Sequence, residues 1–256
     1  MDHITLNDGN RMPMVGFGTW NVRGESGLRI IMDALDVGYR LIDPARMYGN
    51  EEIVGEALRR SGIRRDEGFI TTKLDSPCAG YGKAKYAISD SLRRLGTDRV
   101  DLLLIHEPYP DSAGMYRAME EVVSEGTVGS IGVSNFTIES IDRLLPDAGI
   151  VPAVDQVESH VYRPQLELKD GLSRRGITMQ SWGPFTEGAR DIFSEPVLVR
   201  IAEDHGRTPA QVALRYLVQN GIPVIPKSSK RGRMEENLDI LDFSLSDAEM
   251  AAVEKL

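Results

Sequence analysis

Eight times along this chain a short apolar run, rich in β-branched residues, gives way to an amphipathic stretch of helical length. The runs are VGFGT (15–19), YRLID (39–43), FITTK (69–73), DLLLIH (101–106), SIGVS (130–134), AVDQVE (153–158), ITMQSW (177–182) and IPVIP (222–226). A helix between two strands carries the chain back to the end where it started, so successive strands lie parallel. Eight such units are the number that closes a (β/α)8 TIM barrel, an α/β fold of roughly 250 residues. The length of 256 residues fits. No Pro/Ser-rich break or shift in composition divides the chain, which predicts a single barrel domain over 1–256. Between the runs lie GLRIIMDALDVG, NEEIVGEALRRSG, KAKYAISDSLRRLG and MYRAMEEVVSEG. In the first, Leu28, Ile31, Met32 and Leu35 fall at helical spacing, and Gly38, Gly62, Gly96 and Gly126 stand where left-handed helix caps are wanted. Ahead of the first unit, ITL, NDGN and RMPMVG read as an N-terminal β-hairpin capping one end of the barrel.

In such a barrel the chemistry gathers at the C-terminal ends of the strands. Asp43 ends the second run, Lys73 the third and His106 the fourth, while Tyr48 follows Asp43 in the loop that starts the next helix. A strand end that stops on one ionisable residue usually holds a cap or a solvated side chain, and His106 alone reads as a core histidine. Their joint placement at one mouth is what gives them meaning. A tyrosine is too weak an acid at neutral pH, and an adjacent ammonium favours its ionisation. Lys73 is expected to lower the Tyr48 pKa, Asp43 to hold Lys73 charged, and His106 to donate a hydrogen bond to a carbonyl oxygen. The set contains no nucleophile, so a hydride must come from a cofactor. No GxGxxG follows the first strand, and a Rossmann domain is not indicated.

The segments IDPARMYGNEEIVGEAL, ITTKL, SLRRLGTDRVDLLLIHEP, SIGVSNF and IPKSSKRGRMEENL, taken in that order, resemble the signature segments of the aldo-keto reductase superfamily. The likeness runs from Ile4 to Leu241. It implies a (β/α)8 barrel that uses NADPH to reduce small aldehydes and ketones reversibly to alcohols. Tyr48 is then the proton donor, Lys73 and Asp43 tune it, and His106 orients the carbonyl. By the same resemblance Ser134, Asn135 and Gln156 hold the nicotinamide carboxamide and Trp182 stacks on its ring. Lys227, Ser228 and Arg233 bind the 2′-phosphate, with Glu236 and Asn237 near the adenine. Lys230 and Arg231 add to this basic loop, which follows the last strand, where barrels often bind phosphate.

The chain departs from the pattern at several points. Pro44 replaces the usual Thr, removing a backbone donor beside Asp43. Asp155 stands where Asn is common and is expected to set an acid near the nicotinamide. Glu107 replaces a frequent Trp and predicts a more polar substrate pocket, with Trp20 and Tyr109 as further wall residues. The sequence stops at SLSDAEMAAVEKL, short of the C-terminal loop of many relatives, so an open pocket is expected.

Composition limits the alternatives. A net charge of −9 speaks against a nucleic-acid partner, whose phosphates need basic surface. Cys78 is the only cysteine, which rules out an intrachain disulfide. The absence of an apolar span of roughly 20 residues suggests a cytoplasmic protein without a membrane partner, and the family habit suggests a monomer. Two other functions stand beside the reductase: a non-enzymatic NADPH-sensing regulator, and a metal-dependent hydrolase using His106, Glu158 and His160. No metal site is expected. Small aldehydes, α-dicarbonyls and keto sugars all remain open as substrates.

Overall fold

The computed structural model describes residues 2–256. An antiparallel hairpin comes first, β1 (His3–Thr5) pairing with β2 (Arg11–Pro13). Gly9, at φ 86°, supplies the left-handed turn residue between them, a conformation open to glycine at little cost. The hairpin plugs the N-terminal end of the barrel. Leu6 and Met12 pack into its interior with Leu41, Phe69 and Leu102, and the Asn10 amide donates to the Ser130 hydroxyl at 3.0 Å.

Seven parallel strands follow in chain order. They are β3 (Gly16–Gly18), β4 (Leu41–Asp43), β5 (Phe69–Leu74), β6 (Val100–Ile105), β7 (Val128–Ser134), β8 (Val154–Glu158) and β9 (Thr178–Trp182). The ring is covered by α1 (Gly24–Val37), α2 (Glu51–Ser61), α3 (Tyr81–Leu95), α4 (Ser112–Ser124), α5 (Ile138–Leu144) and α6 (Leu166–Ser173). Then come α7 (Pro196–His205), α8 (Pro209–Gln219), α9 (Arg231–Leu238) and α10 (Asp247–Val253). No helix among the described residues is long and apolar enough to cross a membrane.

The eighth expected strand, 222–226, is a departure. Only Val224 bridges both neighbours, Val15 on one side and Ser181 on the other. Its flanks explain the shortness. The Val224 N–H bonds Met14 and the Ile225 N–H bonds Ser181, so alternation assigns the donors of Pro226 and Pro223 to those same two sides. Both residues lack an N–H, and each edge of the ladder loses one bond. Their carbonyls still accept, Pro223 from Ser181 at 2.8 Å and Pro226 from Gly18 at 3.1 Å. The ring is thereby closed, although without a regular eighth strand.

Alternation along the strands sorts the core into two shells. Ile42, Ile70, Leu103, Ile105, Val133 and Met179 face the helices. Leu41, Phe69, Leu102, Leu104 and Val154 face inward and fill the lower barrel. Continuing the inward parity upward gives Asp43 on β4, Lys73 on β5 and His106 just past β6. The interior is apolar below and ionisable at its upper end. The four glycines singled out in the sequence sit at helix ends as expected, three as C-caps and Gly126 two residues beyond α4, all with positive φ.

Candidate active site

Asp43 and Lys73 sit on adjacent strands, where β4 pairs with β5 in parallel register, and both side chains are almost wholly buried. The Lys73 ammonium bonds an Asp43 carboxylate oxygen and reaches the Pro44 carbonyl at 3.3 Å. Pro44 therefore leaves the pair intact and contributes an acceptor to it. Burial opposes the Lys73 charge, but the Asp43 carboxylate and the Tyr48 oxygen hold its pKa above the ordinary lysine value.

Tyr48 rides on a 3-10 turn, Arg46–Tyr48, closed by Gly49 at φ 63°. Arg46 fastens this turn to α3 through Asp90 at 3.0 Å and the Ala87 carbonyl. The Tyr48 hydroxyl lies 3.5 Å from His106 Nε2, and Lys73 Nζ is 5.1 Å from its ring centre. The expected lowering of the Tyr48 pKa is only half met. Lys73 does pull it down, but burial dominates and leaves the phenol above its ordinary value. Tyr48 is accordingly protonated at neutral pH. Burial, and then the Lys73 charge, push His106 down to about 3, so its ring is neutral and can offer a hydrogen bond.

A cleft of about 530 Å³ opens above these four residues. Ser134, Asn135, Gln156 and Trp182 line it, as do Trp20 and Glu107. The Ser134 hydroxyl donates to the Gln156 carbonyl at 2.7 Å. The Gln156 amide nitrogen donates to Asp43 and to Gln180, both at 2.8 Å, so Gln156 also fixes the Asp43 carboxylate. Asn135, at φ 61°, has its amide engaged on both sides. It donates to Glu107 at 2.7 Å and accepts from the Trp182 indole at 2.9 Å. Trp20 packs edge-on against Tyr48, ring centres 4.9 Å apart.

The basic loop after Val224 lies beside this cleft. Lys227, Ser228, Arg233, Glu236 and Asn237 line a groove of about 390 Å³. Lys227, Phe185 and Phe193 border both spaces, which sets the cleft at Tyr48 and the groove at Arg233 side by side. Among the described residues Lys227 and Arg233 form no ion pair, whereas Arg231 is engaged by Asp36 and Glu235. Two unpaired cations beside a hydroxyl are the donor set that a phosphate requires, and the residues fit a phosphorylated dinucleotide.

Two expectations are corrected. Tyr109 does not line the cleft, and it packs half-buried against the outer core. Asp155, expected near the nicotinamide, does not enter the cleft, because neighbouring residues of a strand face opposite ways. Gln156 points in, and Asp155 points out toward the helices, where its carboxyl accepts from the Phe136 N–H at 3.4 Å. Burial pushes it up to about 8. The hydrolase trio is not assembled either. His160 and Glu158 pair at 3.7 Å with Arg163 alongside, while His106 faces Tyr48. Among the described residues no three metal-ligating side chains are gathered.

Sequence reading missed Met47, Phe185, Glu187 and Phe193 as cleft walls. Phe185, Glu187 and Phe193 belong to the loop after β9, which carries no motif; only the fold brings it over the mouth.

A parallel barrel with a buried Lys–Asp pair, a protonated tyrosine and a neutral histidine at its C-terminal mouth has the groups to give a proton to an acceptor such as a carbonyl oxygen. The Aldo/keto reductase family profile matches residues 14–256, and the chain belongs to that family. It is 39% identical to the methylglyoxal reductase of Escherichia coli over 99% of this chain and 92% of that protein. The crystal structure of an aldo/keto reductase from Brucella melitensis superposes with a TM-score of 0.95 at 40% identity, covering 99% of this chain and 98% of that one. A Bombyx mori aldo-keto reductase solved in complex with NADP superposes at 0.92 with 32% identity, covering 99% and 92%.

Proposed function

We propose that this protein reduces the carbonyl group of small aldehydes and ketones to alcohols, with NADPH as cofactor and Tyr48 as the acid. The observation that carries the reading is the wholly buried Lys73 ammonium, held between Asp43 and Tyr48 at the floor of the cleft. NADPH, when bound, supplies the hydride to the carbonyl carbon. Tyr48 gives its proton to the carbonyl oxygen, and Lys73 stabilises the phenolate left behind. His106, neutral, directs a ring N–H at the same oxygen and stabilises the charge gathering there. Asp43, fixed by Gln156, keeps Lys73 charged and aimed.

For the cofactor, Ser134 and the Gln156 side-chain carbonyl bind the carboxamide, Asn135 joins them by releasing Glu107, and Trp182 stacks on the ring. Lys227, Ser228 and Arg233 take the 2′-phosphate, with Glu236 and Asn237 toward the adenine. Trp20 and Glu107 border the substrate. The same reading makes the chain one domain over 1–256, a cytoplasmic monomer without a nucleic-acid partner. The net charge of −9 supports the last point.

The test is NADPH oxidation with a panel of aldehydes, wild type beside Tyr48→Phe. Removing the acid should lower kcat by about 10²–10⁴ while NADPH still binds. Tight NADPH binding with no turnover of any carbonyl would instead favour a non-enzymatic sensor.

A further inference from the structure

The reductase reading leaves the substrate open, and the charges and rings around the cleft narrow it. Four formally charged side chains line it: Asp43, Glu107, Glu187 and Lys227. Asp43 is neutralised by Lys73, and Lys227 also borders the phosphate groove. His106 is neutral. Glu107, after β6 and held by the Asn135 amide, and Glu187, in the loop after β9, are the two remaining carboxylates lining the cleft, on different elements. Glu187 is close enough that its charge raises the Tyr48 pKa. Arg190, a cation of the same loop, is drawn away, stacked 3.6 Å over the Tyr162 ring.

The apolar surface points the same way. Six large hydrophobic side chains are exposed among the described residues, and three of them border this one cleft. They are Trp20 at 37% and Met47 at 50% exposed, beside Tyr48, and Phe193 at 51%, which like Lys227 also borders the phosphate groove. Exposed apolar surface concentrated in one place marks a contact for a ligand. Aromatic faces combined with carboxylates recognise an organic cation, attracting its charge and covering its carbon skeleton.

We propose that the substrates are carbonyl compounds carrying an organic cation, an ammonium or quaternary ammonium group on an apolar body, and that Glu107 and Glu187 turn away carbonyl compounds bearing a carboxylate. This rests on the reductase reading and adds a choice by charge. Glu187 and Glu107 bind the remote cation while the carbonyl lies at Tyr48 and His106, so discrimination falls on KM more than on kcat.

The test compares three benzaldehydes substituted at the para position by carboxylate, hydroxymethyl and trimethylammoniomethyl groups, each with saturating NADPH. The cationic aldehyde should exceed the anionic one by about tenfold or more in kcat/KM at low ionic strength, and the ratio should shrink as salt screens the cleft. Glu187→Gln and Glu107→Gln keep side-chain length and should each reduce the ratio several-fold. Comparing ratios between variants cancels the intrinsic reactivity of the aldehydes. Equal or better turnover of the anionic aldehyde would overturn the proposal, as would a ratio unmoved by Glu187→Gln. No turnover even of the neutral aldehyde would sink the underlying reaction and this proposal with it, a result distinct from turnover without discrimination.

Discussion

Tyr48 stands between two opposed influences, burial that holds its proton on and a lysine that helps it leave. The balance lies on the side of the phenol, above its ordinary value, while His106 is held neutral down to about 3. Reduction needs the phenol protonated and the imidazole neutral. Both conditions hold from acid pH to well past neutrality. The kcat for reduction should therefore show no histidine inflection between about pH 5 and pH 8, and should fall only on the alkaline side as Tyr48 ionises, above about pH 10. A pH–rate profile at saturating NADPH measures this, and a step near the ordinary histidine value would contradict the assignment. The four residues of this cluster were legible in the sequence because each ends, or closely follows, a strand. Their balance was not. How far burial outweighs Lys73 depends on the depth of the mouth, which no local pattern encodes.

At the level of the element, strand parity does most of the positioning. The period of two that puts Gln156 into the cleft turns Asp155 out against the helices, and applying that period strictly would have removed Asp155 from the site. Its burial has a thermodynamic consequence. Between the ordinary carboxylate range and about 8 the folded protein keeps a proton that the unfolded chain releases. Stability therefore declines as pH rises through that window, and the contribution is lost above about 8. Asp155→Asn removes the titration and keeps an acceptor for the Phe136 N–H. The Tm of the variant relative to wild type should climb between about pH 5 and about pH 8, and a flat difference in thermal melts would refute the argument. The helices announced themselves through apolar spacing and terminal glycines. The loop after β9 did not, because Phe185, Glu187 and Phe193 acquire their role only when the barrel carries them over its mouth.

Across the whole molecule, charge is divided between a net negative surface and one basic loop. A phosphorylated cofactor is drawn to Lys227 and Arg233 against the net repulsion of a chain of charge −9. Arg233→Ala should raise KM for NADPH by about 10–100-fold and leave KM for NADH within about threefold, read from steady-state kinetics with each cofactor. Equal losses for both would mean that Arg233 does not meet the 2′-phosphate. The same loop begins where Val224 is the one bridging residue of the ring's closure, each flanking proline accepting a bond but withholding one donor. A hoop breaks at its thinnest weld. Native-state hydrogen exchange should find the amides of Val224 and Ile225 opening long before those of β5, β6 and β7. A nucleotide lying from Arg233 to Tyr48 would act as a splint across that weld, slowing their exchange together with its own release.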